Sequence, residues 1–181
     1  MDREYQIILY GATGFTGKLC AEYLRDNYPE IKWAIAGRNN QKLNDLKKTL
    51  NLNCDIYIAS GDDKESIDNF VSRTRVVLST AGPFARYSNL IVKCCVENKT
   101  HYTDITGENH WVKDLIDEHH EKASEEGTRI IPSCGYDSIP SDMGVFYSVQ
   151  QMGKPVKKVT VYHSGQGGVS GGTTETMFTI G

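Results

Sequence analysis

The feature that most constrains this 181-residue chain is a run of seven residues near its start, Gly11-Ala12-Thr13-Gly14-Phe15-Thr16-Gly17. A β-rich run from Tyr5 to Tyr10 leads straight into it. Phe15, Leu19 and Tyr23 then repeat at helical spacing, with Cys20 and Leu24 beside them. Glycine between a strand and a helix has a stated use. Gly11 permits the tight turn, Gly14 lets backbone approach a pyrophosphate, and Gly17 lets the helix pack close to the sheet. Amides of the first helical turn point at the phosphates, and the helix dipole favours negative charge there. The spacing is GxxGxxG, not GxGxxG. The reading as a dinucleotide loop therefore rests on context: strand before, helix after, and a position at the N-terminus.

The rest of the chain repeats that alternation. Trp33 to Ala36, Asp55 to Ala59, Arg75 to Thr80, His101 to Ile105 and Arg129 to Ser133 read as further strands. Between them lie helical patterns carrying Leu43, Leu46 and Leu50 after a cap at Asn39, then Ile67, Phe70 and Val71. Another carries Leu90, Ile91, Cys94 and Cys95 after a cap at Ser88, and a charged, exposed stretch runs from His110 to Glu126. Pro140 suits the first position of a helix reaching Gln151. Six strands separated by helices imply an α/β fold with a doubly wound parallel sheet and right-handed crossovers, the Rossmann arrangement. After Pro155 the character changes. Val156 to His163 alternates like a strand, residues 165–172 are glycine-rich, and Thr173 to Ile180 reads as the start of another element. The expected division is a nucleotide-binding domain over 1–153 and the beginning of an α+β domain over 154–181.

Charge and cysteine content narrow the partners. A net charge of -3 with scattered basic residues argues against nucleic acid. No apolar run approaches the ~20 residues that span a bilayer, and the N-terminus lacks the pattern of a secretory signal. Five cysteines without CxxC spacing read as reduced thiols in an intracellular protein, with Cys94 and Cys95 as small apolar residues. His119 and His120 read as solvated, His101 as a strand start, and none has a metal-site partner at readable spacing, so no metal is expected.

The second strand ends in Ala36-Gly37-Arg38. Domains that take NAD place Asp or Glu at this strand end for the adenosine ribose hydroxyls. Here Arg38 stands instead, available to a 2′-phosphate or to stack on adenine, so the expected cofactor is NADP(H) rather than NAD(H). The competing reading of Arg38 is an exposed loop cation. Asp62 or Asp63 could meet the adenine edge or cap the following helix. Thr80-Ala81-Gly82-Pro83 follows strand four, where backbone passes the nicotinamide ribose. For proton transfer or substrate orientation the sequence offers Cys134, Tyr136 and Asp137, although Asp137, Ser138 and Ser141 could equally cap the helix near Pro140. Of the ten tyrosines only Tyr28 has a lysine four residues on, Lys32, and that pair lies before strand two, which disfavours a short-chain dehydrogenase mechanism.

Taken in order, YGATGFTG, WAIAGRN, STAGPFARYSNLIVKCC, YTDITGE and GYDSIPSDMG resemble the saccharopine dehydrogenase-like oxidoreductases, of the animal saccharopine dehydrogenase-like and bacterial trans-acting enoyl reductase type. The resemblance covers nearly the whole chain, and its TDITGE and GYDSIPSD segments are more specific than the glycine loop. It implies a Rossmann domain followed by a substrate and dimerisation domain. Cofactor positions carry over to Gly11, Thr13, Gly14, Phe15, Thr16, Gly17 and Arg38, with Ala81, Gly82 and Pro83 near the nicotinamide. It also implies a small, lipid-like substrate, a homodimer in full-length relatives, and a cytoplasmic setting, with lipid droplets, mitochondria or a peripheral lipid surface as further places. The second domain of this family is far longer than the residues after Pro155, so the chain is expected to stop just inside it. Two functions follow: an NADP-linked oxidoreductase acting on a carbonyl, imine or enoyl group, or a non-catalytic dinucleotide-binding or scaffold protein.

Overall fold

A computed structural model describes residues 2–164, 168, 171 and 174. Strand β1 (Tyr5–Tyr10) is followed by helix α1 (Phe15–Asn27), β2 (Trp33–Gly37), α2 (Asn40–Thr49), β3 (Asp55–Ile58) and α3 (Lys64–Val71). The second half runs through β4 (Thr74–Ser79), the single turn α4 (Phe84–Tyr87), α5 (Asn89–Glu97), β5 (His101–Asp104), α6 (Asn109–Glu125), β6 (Ile130–Ile131) and α7 (Ile139–Met152). The sheet has six parallel strands in the order β3-β2-β1-β4-β5-β6. The order reverses between β1 and β4, and a crevice opens beyond their carboxyl ends.

Both faces of this sheet are covered, which is why its central strands read as continuous apolar runs. On one face Ile8, Phe70, Val77, Ile91, Cys94, Cys95 and Tyr102 form a buried cluster. On the other, Leu9, Ala21, Leu24, Ile35, Leu43 and Leu46 form a second. The expected cap at Asn39 holds, its Oδ1 accepting from Lys42 N at 2.9 Å, and of the two readings open for Asp63 the cap is the one present, its Oδ1 accepting from Glu65 N at 3.1 Å.

Several expectations are corrected. In α1 the inward face is Gly17, Ala21 and Leu24, while Phe15, Leu19 and Tyr23 lie exposed. The α1 core contact is made by small residues because the helix sits close on the sheet. Ser88 occupies the cap position of α5 but makes no side-chain cap bond there; its hydroxyl is buried. Helix α6 is amphipathic, not simply exposed: Trp111, Leu115, His119 and Ala123, four residues apart, form its buried stripe. His119 is therefore a core-facing side chain and not a solvated one. Ser138 caps α7 in position only, without a side-chain bond, and α7 begins at Ile139. Val156 to His163 forms no strand. Alternation can become a ladder only beside a partner strand, and no pairing is present for this stretch among the described residues. Residues 165–167, most of 169–173, and Thr173 lie outside the described residues, as does most of the stretch expected to begin another element.

Candidate dinucleotide site

The crevice at the switch between β1 and β4 has a volume of about 450 Å³. Its lining includes Gly11, Thr13, Gly14, Arg38, Ala81 and Gly82, all singled out from sequence, together with Asp62, Arg86 and Tyr87. Gly11 adopts φ +85, a region that side-chain-bearing residues avoid, and a Cβ there would lie 2.9 Å from Ala81 N. Gly17 is needed for a different reason. A Cβ on it would collide with the Gly11 carbonyl and come within 2.8 Å of Ala12 Cα. The loop is closed by Gly14 N donating to Gly11 O at 3.0 Å, and Gly11 N donates to Ala36 O at 3.0 Å. Thr80 adds the link to β4: its amide donates to Tyr10 O at 2.9 Å and its hydroxyl to Gly11 O at 3.2 Å.

Gly14 is the N-cap of α1 and supplies no side-chain acceptor to the first turn. The amides of Phe15, Thr16 and Gly17 find no main-chain acceptor either. Three donors with no internal partner at the positive end of a 13-residue helix suit a pyrophosphate. The cradle and the donors thus fit a dinucleotide. Thr16 and Gly17 lie along this first turn, whereas the Phe15 ring is exposed. Pro83, joined to Gly82 by a cis peptide bond, is buried behind the crevice wall.

One end of the crevice is built by residues from three strand ends. Arg38 follows β2 directly, and its charge opposes the upward push that burial gives the Tyr10 phenol. Tyr10 itself stacks on Phe70 with ring centroids 5.8 Å apart. Of the two aspartates after β3, Asp63 caps α3 and Asp62 faces the crevice, accepting from the Ser60 hydroxyl, which lowers the pKa of its carboxyl. Two guanidiniums lie over the Tyr87 ring: Arg86 Cζ is 5.2 Å and Arg38 Cζ 5.9 Å from its centroid.

Beside the Ala81-Gly82-Pro83 turn runs a relay of buried polar groups through the TDITGE segment. Asp104, nearly fully buried, accepts from Tyr102 Oη at 2.8 Å, Thr106 N at 3.0 Å and Ser133 N at 2.9 Å. Burial pushes its carboxyl above the usual range, against the pull of those donors. Thr106 Oγ1 accepts from Glu108 N at 3.0 Å, and the Glu108 carboxylate accepts from Phe84 N at 2.7 Å and Ala85 N at 3.0 Å. One short motif therefore ties together the loops that follow β4, β5 and β6. Sequence reasoning places the Asp104 to Glu108 loop at a strand end on the site's side of the sheet and uses the motif for its likeness, but gives Asp104 and Glu108 no role; acidic residues at a strand end are the available signal. The same reasoning places the Tyr87 region on the site's side of the sheet without a role and misses Arg86; a basic-aromatic pair next to the Gly82-Pro83 turn is the signal for both.

The three groups named for proton transfer lie apart from the glycine crevice. Tyr136 and Asp137 are exposed on the loop between β6 and α7. The Cys134 sulfur is directed at Ile131 O, 3.4 Å away. Ser141 Oγ and His163 Nε2 stand 3.4 Å apart beside that loop. The acidic cluster Asp68, Cys94 and Glu97 lies far along the sheet, and Lys64 pairs with both of its carboxylates.

Comparison with known proteins decides the family. The sequence profile of the saccharopine dehydrogenase NADP-binding domain matches residues 7–131. The chain belongs to this family. Its NADP-binding domain is 40% identical over 147 residues to a trans-acting enoyl reductase of Mycobacterium leprae, covering 80% of this chain and 35% of that protein. Over 186 residues it is 36% identical to a putative trans-acting enoyl reductase of Mycobacterium tuberculosis, covering 98% of this chain and 44% of that protein. The chain thus spans less than half the length of these relatives. In fold it is similar to apo saccharopine dehydrogenase (L-Glu forming) from Saccharomyces cerevisiae, with a TM-score of 0.68 and 17% identity over 81% of this chain and 31% of that one. The cofactor of this domain is NADP. No helix among the described residues is long and apolar enough to cross a membrane.

Proposed function

We propose that this chain is the nucleotide-binding part of an NADP-dependent oxidoreductase that moves hydride to or from a carbonyl, imine or enoyl group of a small, lipid-like molecule. The observation that carries the reading is the replacement of a carboxylate by Arg38 at the end of β2, with its guanidinium lining the crevice. When bound, NADPH supplies the hydride; the protein supplies position and electrostatics. The amides of Phe15, Thr16 and Gly17 take the pyrophosphate, Arg38 takes the 2′-phosphate, and Ala81 and Gly82, with Pro83 buried behind them, form the wall beside the nicotinamide ribose. The accompanying proton is assigned to the β6–α7 loop, with Tyr136, Asp137 and Cys134 as its candidates. The enoyl class rests on the names of the mycobacterial relatives. Association with lipid droplets, mitochondria or a second copy of the chain belongs to the same proposal.

Replacing Arg38 by Asp tests the reading. It is expected to weaken NADPH binding by roughly 1–3 kcal/mol, the scale of a lost charged hydrogen bond, while sparing NADH. Equal loss for both cofactors in calorimetry removes the 2′-phosphate role. A panel of aldehydes, imines and enoyl thioesters then separates the two functions: cofactor binding without NADPH oxidation on any of them favours the non-catalytic module.

A further inference from the structure

The crevice contains a second cation that the glycine loop does not require. Arg38 reaches it from the end of β2, and Arg86 reaches it from α4, beyond the end of β4. Their guanidiniums stand 5.9 Å and 5.2 Å from the centroid of the half-buried Tyr87 ring. Neither is in an ion pair with a carboxylate among the described residues. The nearest acidic lining residue, Asp62, is engaged by the Ser60 hydroxyl. Two guanidiniums near one aromatic ring in one crevice match the charge of an anion that carries more than one negative charge.

We propose that Arg86 and Arg38 together clamp the phosphate on the adenosine ribose, with Tyr87 as the platform that sets both guanidiniums. The proposal rests on the crevice being an NADP site and names a second residue that determines its preference for the phosphorylated cofactor. Planar guanidiniums donate in pairs to phosphate oxygens, and each stacks readily on an aromatic face. Approach from opposite sides of the switch point gives each cation its own phosphate oxygens. The backbone beneath Arg86 is fixed by three contacts. Glu108 holds the amides of Phe84 and Ala85, Tyr87 N donates to Pro83 O at 3.2 Å, and the loop after β3 is seated so close that a Cβ on Gly61 would lie 2.7 Å from Tyr87 O. The Gly61 contact seats the loop after β3 against the α4 turn, and Arg38 lines the same crevice.

The test is calorimetric titration of the wild-type chain and of R86Q, R38Q, the double variant and Y87L with NADPH and with NADH. R86Q is expected to weaken NADPH at least tenfold while leaving NADH within twofold. The double variant is expected to bind both cofactors alike, and Y87L to lose part of the preference. An unchanged NADPH-to-NADH ratio in R86Q beside a collapsed ratio in R38Q overturns the clamp and leaves the NADP reading intact. Equal loss for both cofactors in R86Q marks Arg86 as structural and overturns it too. Wild-type chain that binds neither cofactor, or both equally, overturns the clamp and the proposed function together.

Discussion

Glu108 lies 24 residues beyond Phe84, yet its carboxylate accepts the Phe84 amide at 2.7 Å inside the protein, with the Ala85 amide at 3.0 Å on its other oxygen. The carboxylate takes the place of the missing side-chain cap at Pro83 and anchors the turn that carries Arg86 and Tyr87. Glu108→Ala leaves two buried donors unsatisfied and is expected to destabilise the fold by about 3 kcal/mol, each charged hydrogen bond contributing about 1.5–3. Glu108→Gln keeps one acceptor and is expected to lose about half as much. Thermal melts measure the difference, and hydrogen exchange at residues 84–88 locates it. Unchanged exchange there in Glu108→Ala removes the anchoring role.

Gly14 and Gly17 belong to one motif but do different things, and alanine separates them. At Gly17 a Cβ meets backbone that cannot move aside, so Gly17→Ala is expected to cost about 1–3 kcal/mol of stability, the usual scale of overpacking. At Gly14 the nearest atom to a Cβ is the Gly11 carbonyl at 3.4 Å, and φ is -72, which alanine adopts freely. Gly14→Ala is expected to change stability by less than about 0.5 kcal/mol. Its methyl group faces the phosphate position, so dinucleotide affinity is expected to fall roughly tenfold, about 1.4 kcal/mol. Denaturant unfolding and cofactor titration read the two effects separately. A Gly14→Ala chain with full cofactor affinity contradicts the cradle.

The parts of this molecule that sequence discloses are those whose cause is local. A turn with positive φ demands Gly11, a buried parallel strand demands an apolar run such as Tyr5 to Tyr10, and an Asn or Asp before a helix caps it, as Asn39 and Asp63 do. What sequence conceals depends on residues far apart in the chain. Nothing near Ser88 says that its hydroxyl will be buried, because burial is set by packing across the fold and not by its neighbours in sequence. The α6 stripe is hidden because His119 sits among charged neighbours and only tertiary packing turns it inward. Val156 to His163 shows the reverse failure: a strand-like period without a neighbouring strand to pair with. In the site the glycine loop and Arg38 are legible because backbone geometry and a missing carboxylate are written in consecutive residues. Arg86, Tyr87 and Glu108 gain their roles across long separations, and their motif discloses only that something polar recurs at a strand end.

The pH response of Asp104 follows from its burial. It accepts three hydrogen bonds, which favour the charged form, but loss of water is the larger effect and raises its carboxyl above the usual range. The folded chain therefore holds this proton more tightly than the unfolded chain does. The stability so contributed is complete below the unfolded value, near about 4, and is lost as the pH rises through the higher folded value. Asp104→Asn cannot titrate and supplies the reference. Urea unfolding of both chains from pH 3.5 to 8 is expected to show the wild-type advantage shrinking with rising pH, then levelling once the carboxyl is ionised. Carbon-13 shifts of the Asp104 carboxyl report the same titration directly. An advantage that instead grows with pH means that the Tyr102, Thr106 and Ser133 donors outweigh desolvation, and that the relay is held by a carboxylate charged throughout that range.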